Sequence, residues 1–292
     1  MRQPAALAQA APATLFAGDS YDPAAAAGLV AWQRAGGIAL VRRDGADRAL
    51  PGRAPALGGS TLAWLEGEQA VIADAATGAV RSRLATPGAR VLAVSDALLA
   101  WRAPAPDGRD TLWTRTLGAE PGPPVPLAQA PERAELGRPA ILAGRVLFHI
   151  AGIDGSRIVA ADPATGVQEV LRDDPAAQLT NPSSDGVRLL FVRATGLQQE
   201  LRLGPIVQAE GGDLAIAVHP SSGRRDREHE RGRRRHKHPY MHPLPPFATP
   251  GETQTLWSTA LAPDGAYVTR IVARPGLARR ADILRVALPF AG

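Results

Sequence analysis

Residues 55–80, PALGGSTLAWLEGEQAVIADAATGAV, hold two short hydrophobic runs separated by turn residues. TLAW (61–64) follows a Gly-Gly-Ser turn, and AVIAD (70–74) leads into Asp-x-x-Thr-Gly. The runs are short, β-type and bounded by Gly, Pro or Asp, so each reads as a strand and not as a turn of helix. The pattern recurs along the chain. LVAW (29–32), LLAW (98–101), RVLFH (145–149) and RLLFV (188–192) are further runs that carry an aromatic at or near their end. In four copies a Pro stands nine residues before the aromatic: Pro23/Trp32, Pro55/Trp64, Pro139/Phe148 and Pro182/Phe191. Before Trp101 that place is taken by Leu92. The aromatics are 32, 37, 47 and 43 residues apart, the spacing of propeller blades.

A second element recurs inside the units. AVIADAATGAV (70–80) and IVAADPATGVQ (158–168) both end a strand in Asp-x-x-Thr-Gly. Asp74 and Asp162 are placed to accept turn amides, and Gly78 and Gly166 to take the positive φ of a hairpin bulge. TLWTRTL (111–117) matches TLWSTAL (255–261), and Ser-Asp-Gly (184–186) and Pro-Asp-Gly (263–265) open two of the units. One four-stranded unit cannot bury both of its faces, so such units stack radially and close into a ring. The expected fold is all-β, a six-bladed β-propeller, with seven blades as the alternative. Inner strands are expected to start at 29, 61, 98, 146, 188 and 213, with 255–261 as the second strand of the last blade. A strand from TLFAGD (14–19) is expected to pair with the last blade and close the ring, since an open ring leaves two bare sheet edges. The Trp and Phe residues fill the space between blades; a ligand-stacking role is the less favoured reading.

Composition agrees with a globular chain of 292 residues: 45% hydrophobic and 21% charged, with Gly 30 and Pro 27. The absence of Cys excludes disulfides, thiolate metal sites and Cys nucleophiles. No run approaches the roughly 18 apolar residues of a spanning helix, so no transmembrane segment is expected. The net charge of +5 has one address. Residues 224–238 (RRDREHERGRRRHKH) hold eight basic and three acidic residues, and the remaining 25 of each sign balance. One Lys stands beside 32 Arg, a skew that reads as codon bias before it reads as nucleic-acid chemistry.

The Pro-led opening of each unit, the L-x-W/F strand after it and the Asp-x-x-Thr-Gly turn resemble the TolB-like (WD-like) six-bladed propellers. The resemblance covers roughly 14–219 and 255–288, and departs at Leu92, in a short fifth blade and in a long insertion. It implies the fold, and by analogy a periplasmic or secreted binding or scaffolding module, a family in which some members sit beside catalytic domains. No catalytic domain is visible in this sequence. A glycine-rich phosphate loop and a Gly-x-Ser-x-Gly elbow are absent, and His229-Glu230 is followed by Arg233 where a zincin helix needs its second His. No cofactor is implied. His149, beside Phe148, is the one channel candidate for chemistry, and a strand-end histidine bonded to backbone is the preferred reading of it.

The chain is read as a flexible N-terminus (1–13) and a single propeller domain (14–292), with 220–254 a disordered insertion in the last blade, rich in basic, His and Pro residues. Arg233, Arg234, Arg235, His236 and Lys237 are the candidate binding residues, suited to a polyanion. Tyr240 is the only aromatic near them, so specific nucleic-acid recognition by stacking is poorly supported. His236, His238 and His242 are weak metal candidates, opposed by the surrounding positive charge, and no metal site is assigned. HPLPPF (242–247) is a weak polyproline ligand signal. Arg2 and Ala8-Gln9-Ala10 look like pieces of a leader whose apolar part is too short, so export with a truncated leader and a cytoplasmic location stay equally open. The expected function is a non-catalytic, monomeric propeller that binds a protein or polyanionic partner with help from the basic loop. The alternative is a channel-centred hydrolase or lyase of a small or polymeric substrate.

Overall fold

The computed structural model describes residues 13–16, 20–34, 37–42, 47–153, 155–196, 198–206, 213–220, 253–273 and 279–288. Among them every regular element is a strand, and the strands form six antiparallel sheets. Sheet 1 runs Ser20–Ala26, Leu29–Arg34, Gly37–Arg42, Asp47–Leu50, and sheet 2 Arg53–Gly58, Thr61–Glu66, Gln69–Asp74, Val80–Ala85. Sheet 3 is Val91–Val94, Leu98–Pro104, Asp110–Thr116 and Val125–Gln129. In sheet 4 two short pieces, Ala134–Leu136 and Ala140–Leu142, share the partner Arg145–Gly152, followed by Gly155–Ala161 and Gln168–Asp174. Sheet 5 is Gln178–Ser184, Arg188–Thr195, Gln198–Pro205 and Leu214–Pro220. Sheet 6 is Thr253–Ala262, Gly265–Ala273 and Arg280–Val286, with Ala13–Phe16 paired on its outside.

The six apolar clusters each draw on two neighbouring sheets. Trp64 packs with Ala31 and Val71 between sheets 1 and 2, and Trp101 with Leu65 and Ile72 between 2 and 3. Phe148 meets Leu112 between sheets 3 and 4, and Phe191 meets Leu147 between 4 and 5. Leu201 and Val268 join sheets 5 and 6, while Trp32, Tyr267 and Ile283 join 6 back to 1. The arrangement is a propeller, in which neither face of any one sheet is stable alone. The recurring aromatics are its inter-sheet core: Trp32, Trp64, Trp101, Phe148 and Phe191 are all buried.

Three expectations need correction. The aromatic runs are second strands and not innermost ones. The segment before each forms the innermost strand: in sheets 1, 2 and 5 it carries the Pro, in sheet 4 the Pro falls at a break in it, and in sheet 3 Val91–Val94 has none. LAIAVHP (214–220) is the outermost strand of sheet 5, paired to Gln198–Pro205, and Thr253–Ala262 is the innermost strand of sheet 6, not its second. A strand one hairpin away from its predecessor pairs with it, whatever its composition. The insertion therefore joins sheet 5 to sheet 6 instead of interrupting the last blade, and both Pro220 and Thr253 at its ends are strand residues. No helix among the described residues is long and apolar enough to cross a membrane.

The Asp-x-x-Thr-Gly turns are built as expected. Asp74 Oδ1 accepts from the amides of Ala76 (3.1 Å) and Thr77 (2.9 Å), and Asp162 Oδ1 from those of Ala164 (2.7 Å) and Thr165 (3.1 Å). Gly78 and Gly166 take φ of 68° and 73°.

Candidate functional site

The Pro signal marks a β-bulge. In sheet 1 Tyr21 pairs with Gln33 and Ala24 with Ala31, so Asp22 and Pro23 together oppose Trp32. Ala54-Pro55 oppose Trp64 in the same way, and Asn181-Pro182 oppose Phe191. Pro cannot donate to the ladder, and a bulge is where a strand tolerates that. The residue before Pro is turned into the left-handed region, with φ of 53° at Asp22, Ala54 and Asn181. In sheet 4 the innermost strand is broken at the same place: Arg138-Pro139 fall between the pair Leu136/Ile150 and the pair Ala140/Leu147. Sheet 6 has the bulge at Trp257-Ser258, opposite Thr269, which explains why neither Pro nor an aromatic announced this copy. Sheet 3, where Leu92 replaces Pro, pairs without a bulge.

A bulge re-aims its side chain. Asp22, Ala54, Arg138, Asn181 and Trp257 therefore occupy one equivalent position in five sheets, all at the same end of the central channel. Three of the bulges also free a main-chain amide that a neighbouring sheet satisfies. The amide of Asp22 donates to Thr269 Oγ1 (3.2 Å), that of Ala54 to Gln33 Oε1 (2.7 Å) and that of Asn181 to His149 Nδ1 (3.0 Å). His149 is thus the sheet-4 counterpart of Gln33. It is held neutral: burial first, and the Arg102 guanidinium second, bring its pKa from 6.5 to about 4. Acceptance at Nδ1 leaves the proton on Nε2. Gly137 makes room for the ring, since a Cβ there would lie 1.8 Å from the imidazole. The backbone-bonded reading of His149 holds.

The channel itself is a cavity of about 440 Å³, with wall segments from all six innermost strands. Its walls are small or apolar, among them Ala24, Ala56, Val94, Leu142 and Ala260. Arg138 crosses it. The side chain leaves sheet 4 and reaches Asp22 Oδ1 in sheet 1 at 3.4 Å and the Pro55 carbonyl in sheet 2 at 2.9 Å. The ion pair is mostly buried, with side-chain exposures of 14% and 21%, and it floors the channel at the bulge end. Beside it, Asn181 Nδ2 donates to the Trp257 carbonyl (3.0 Å), Thr259 Oγ1 to the Asn181 carbonyl (2.6 Å), and Ser183 shares a hydrogen bond with Thr259. The Trp257 side chain is half exposed at 54%.

No group of three His, Asp or Glu side chains that could hold a metal ion exists among the described residues. Arg233–Arg235, His236, Lys237, His238 and His242 lie outside the described residues, and only the ends of their segment are placed. Pro220 pairs with Gln198 and Thr253 with Ala273, so both ends leave from the bulge end of the ring. Sequence reasoning missed Asp22, Arg138 and Trp257. For Asp22 and Arg138 the available signal was the residue preceding a repeated Pro; Trp257, followed by Ser258, carried none.

Six sheets around a channel, with a neighbour-bonded bulge at its end, define a β-propeller. No protein-family model and no curated protein matches the chain. Solved structures do share the fold. The β-propeller domain of the Trilobed protease from Pyrococcus furiosus, described as an open velcro topology, aligns with TM-score 0.52 and 13% identity over 94% of this chain and 86% of its own. A putative TolB from Agrobacterium tumefaciens gives TM-score 0.52 and 12% identity over 82% of this chain and 83% of its own. Acylaminoacyl peptidase from Pyrococcus horikoshii gives 0.52 and 12% over 94% of this chain, which spans only 46% of that protein. The chain has the TolB-like β-propeller fold, and at these identities the likeness extends to the fold alone.

Proposed function

We propose that this chain is a non-catalytic binding module: one six-bladed propeller domain over 14–292, closed by its N-terminal strand, that engages a protein or polyanionic partner as a monomer. Each of the six sheets is taken as one blade. The basic segment Arg233–Lys237 adds electrostatic attraction from the bulge face, where both ends of the insertion are anchored. The observation that carries the reading is the channel. Its walls are mostly small or apolar, its floor is an Arg138–Asp22 ion pair, and the buried histidine nearby, His149, is spent on a backbone amide. A hydrolytic centre needs a nucleophile or activated water beside a free base; here the hydroxyls of Ser183, Ser184 and Thr259 bond to one another or to main-chain carbonyls, and the Asp185 carboxylate is paired with Arg188. The propellers of peptidases share the fold, but this chain matches less than half of the acylaminoacyl peptidase, so that likeness carries no peptidase chemistry here.

The test titrates fluorescently labelled polyphosphate into the full chain and into a version lacking 222–238, at low and moderate salt. The expected result is a steeply salt-dependent affinity that the deletion lowers by about tenfold or more. Equal, weak binding by both proteins would overturn the polyanion role.

A further inference from the structure

We propose that the central channel binds a small carboxylate with an uncharged body, whose head group takes Arg138 in place of Asp22. The cavity volume of about 440 Å³ falls within the roughly 300–1,000 Å³ of small-molecule sites. At the end opposite Arg138 its rim is made of tight turns with small residues, Ala27, Gly59, Gly144 and Gly186 among them, which leave that mouth open. Arg138 is the one cationic side chain of the lining, and it stands at the closed end. The only acidic side chain of the lining, Asp185, lies toward the open mouth, where Arg188 neutralises it through Nε (2.8 Å) and Nη2 (2.6 Å).

The geometry of Arg138 is that of a fork incompletely used. A guanidinium binds a carboxylate best with two parallel bonds of about 2.7–2.9 Å. Arg172 does so with Asp213, at 2.7 Å through both Nε and Nη2. Arg138 has one oxygen of Asp22 at 3.4 Å and a main-chain carbonyl. A mostly buried guanidinium so loosely paired gains from a better acceptor, and the adjoining cavity can deliver one. The surrounding field favours an anion. Arg53 is held by the carbonyls of Ala89 and Arg90, and Arg102 by that of Leu136. No carboxylate among the described residues forms an ion pair with either, so both add positive charge at this end of the ring. An acyl chain or small ring fits the Ala, Val and Leu side chains of the walls; a second charge finds no free partner there, because the lining hydroxyls of Ser95, Ser183, Ser184 and Thr259 are already bonded within the protein.

The proposal is independent of the partner-binding reading, because polyphosphate reports on the insertion and a monocarboxylate on the channel. Hexanoate, hexanol and inorganic phosphate are titrated into the full chain and into Arg138→Met and Asp22→Asn, followed by ligand-observed NMR. Hexanoate is expected to bind about tenfold more tightly than hexanol, the worth of one charge-assisted pair. Asp22→Asn, which removes the competing carboxylate, should tighten hexanoate several-fold, and Arg138→Met should abolish the preference over hexanol. Hexanol or phosphate binding as tightly as hexanoate would overturn the proposal. So would an unchanged or weaker hexanoate affinity in Asp22→Asn, a variant that leaves the Arg138 side chain and its Pro55 bond in place.

Discussion

Lowering the pH should weaken this propeller through a single imidazole. His149 accepts the Asn181 amide freed by a bulge, and it can do so only while Nδ1 carries no proton. Its pKa is near 4 in the fold against 6.5 unperturbed. The unfolded chain therefore takes up a proton below 6.5 that the folded chain refuses until about 4, and stability must fall with pH across that window. At about 1.4 kcal/mol per pH unit the loss amounts to about 3 kcal/mol. Above 6.5 the full contribution is present; below about 4 both states are protonated and the loss levels off. Urea unfolding midpoints at pH 7, 5.5 and 4.5 read it directly, provided the slope m stays constant. The companion variant is His149→Gln, since Gln33 performs the same task for Ala54 with an amide oxygen. It should flatten the profile while remaining folded. Asp74, held by the Thr77 amide and hydroxyl and by Arg81, has its pKa lowered from 3.8 to about 2, so its contribution is lost only at more acid pH; Glu66, held by Arg83 and Trp64 below its ordinary 4.5, begins to act at the acid edge of the window, a contribution that His149→Gln leaves in place. A wild-type midpoint that does not move between pH 7 and 4.5, or an equal slope in His149→Gln, would refute the reasoning.

Two further predictions concern substitutions in sheet 4. Gly137→Ala sets a Cβ 1.8 Å from the His149 ring, so either the ring or the broken innermost strand must move; a loss of about 3 kcal/mol in urea unfolding is expected, and a neutral substitution would show that the strand break is soft. Arg172, 4% exposed, pins Asp213 together with the carbonyls of Leu171, Pro205 and Ile206. Arg172→Met should cost about 3–5 kcal/mol, because it strands a nearly buried carboxylate, and Asp213→Asn in the Met background should recover part of that loss.

Much of the fold was legible in the chain because its signals are local. Strand-length runs, Asp-x-x-Thr-Gly turns and an aromatic at blade spacing depend on neighbours a few residues away, and each formed where the pattern put it. Trp64 or Phe191 needs only to be large and apolar to fill the wedge between two sheets. The assignment of innermost strands failed for a related reason. Apolar content marks burial, and second strands, covered on both faces, are the most apolar; the innermost strands carry Ala, Gly, Pro and Ser because they crowd around an axis that composition does not reveal. LAIAVHP (214–220) looked like a blade opening and is an outer strand, since pairing follows the hairpin and not hydrophobicity.

The sequence alone determined that this protein repeats a four-stranded unit, that its aromatics form a core, that its net charge sits in residues 224–238 and that no thiol chemistry is open to it. Only the tertiary structure decided what the repeated Pro means and what stands beside it. Asp22 and Arg138 are 116 residues apart, and no local rule couples them. They meet because equivalent bulges in different sheets point at the same axis, so a constellation at the channel end is a property of the closed ring and of no segment within it.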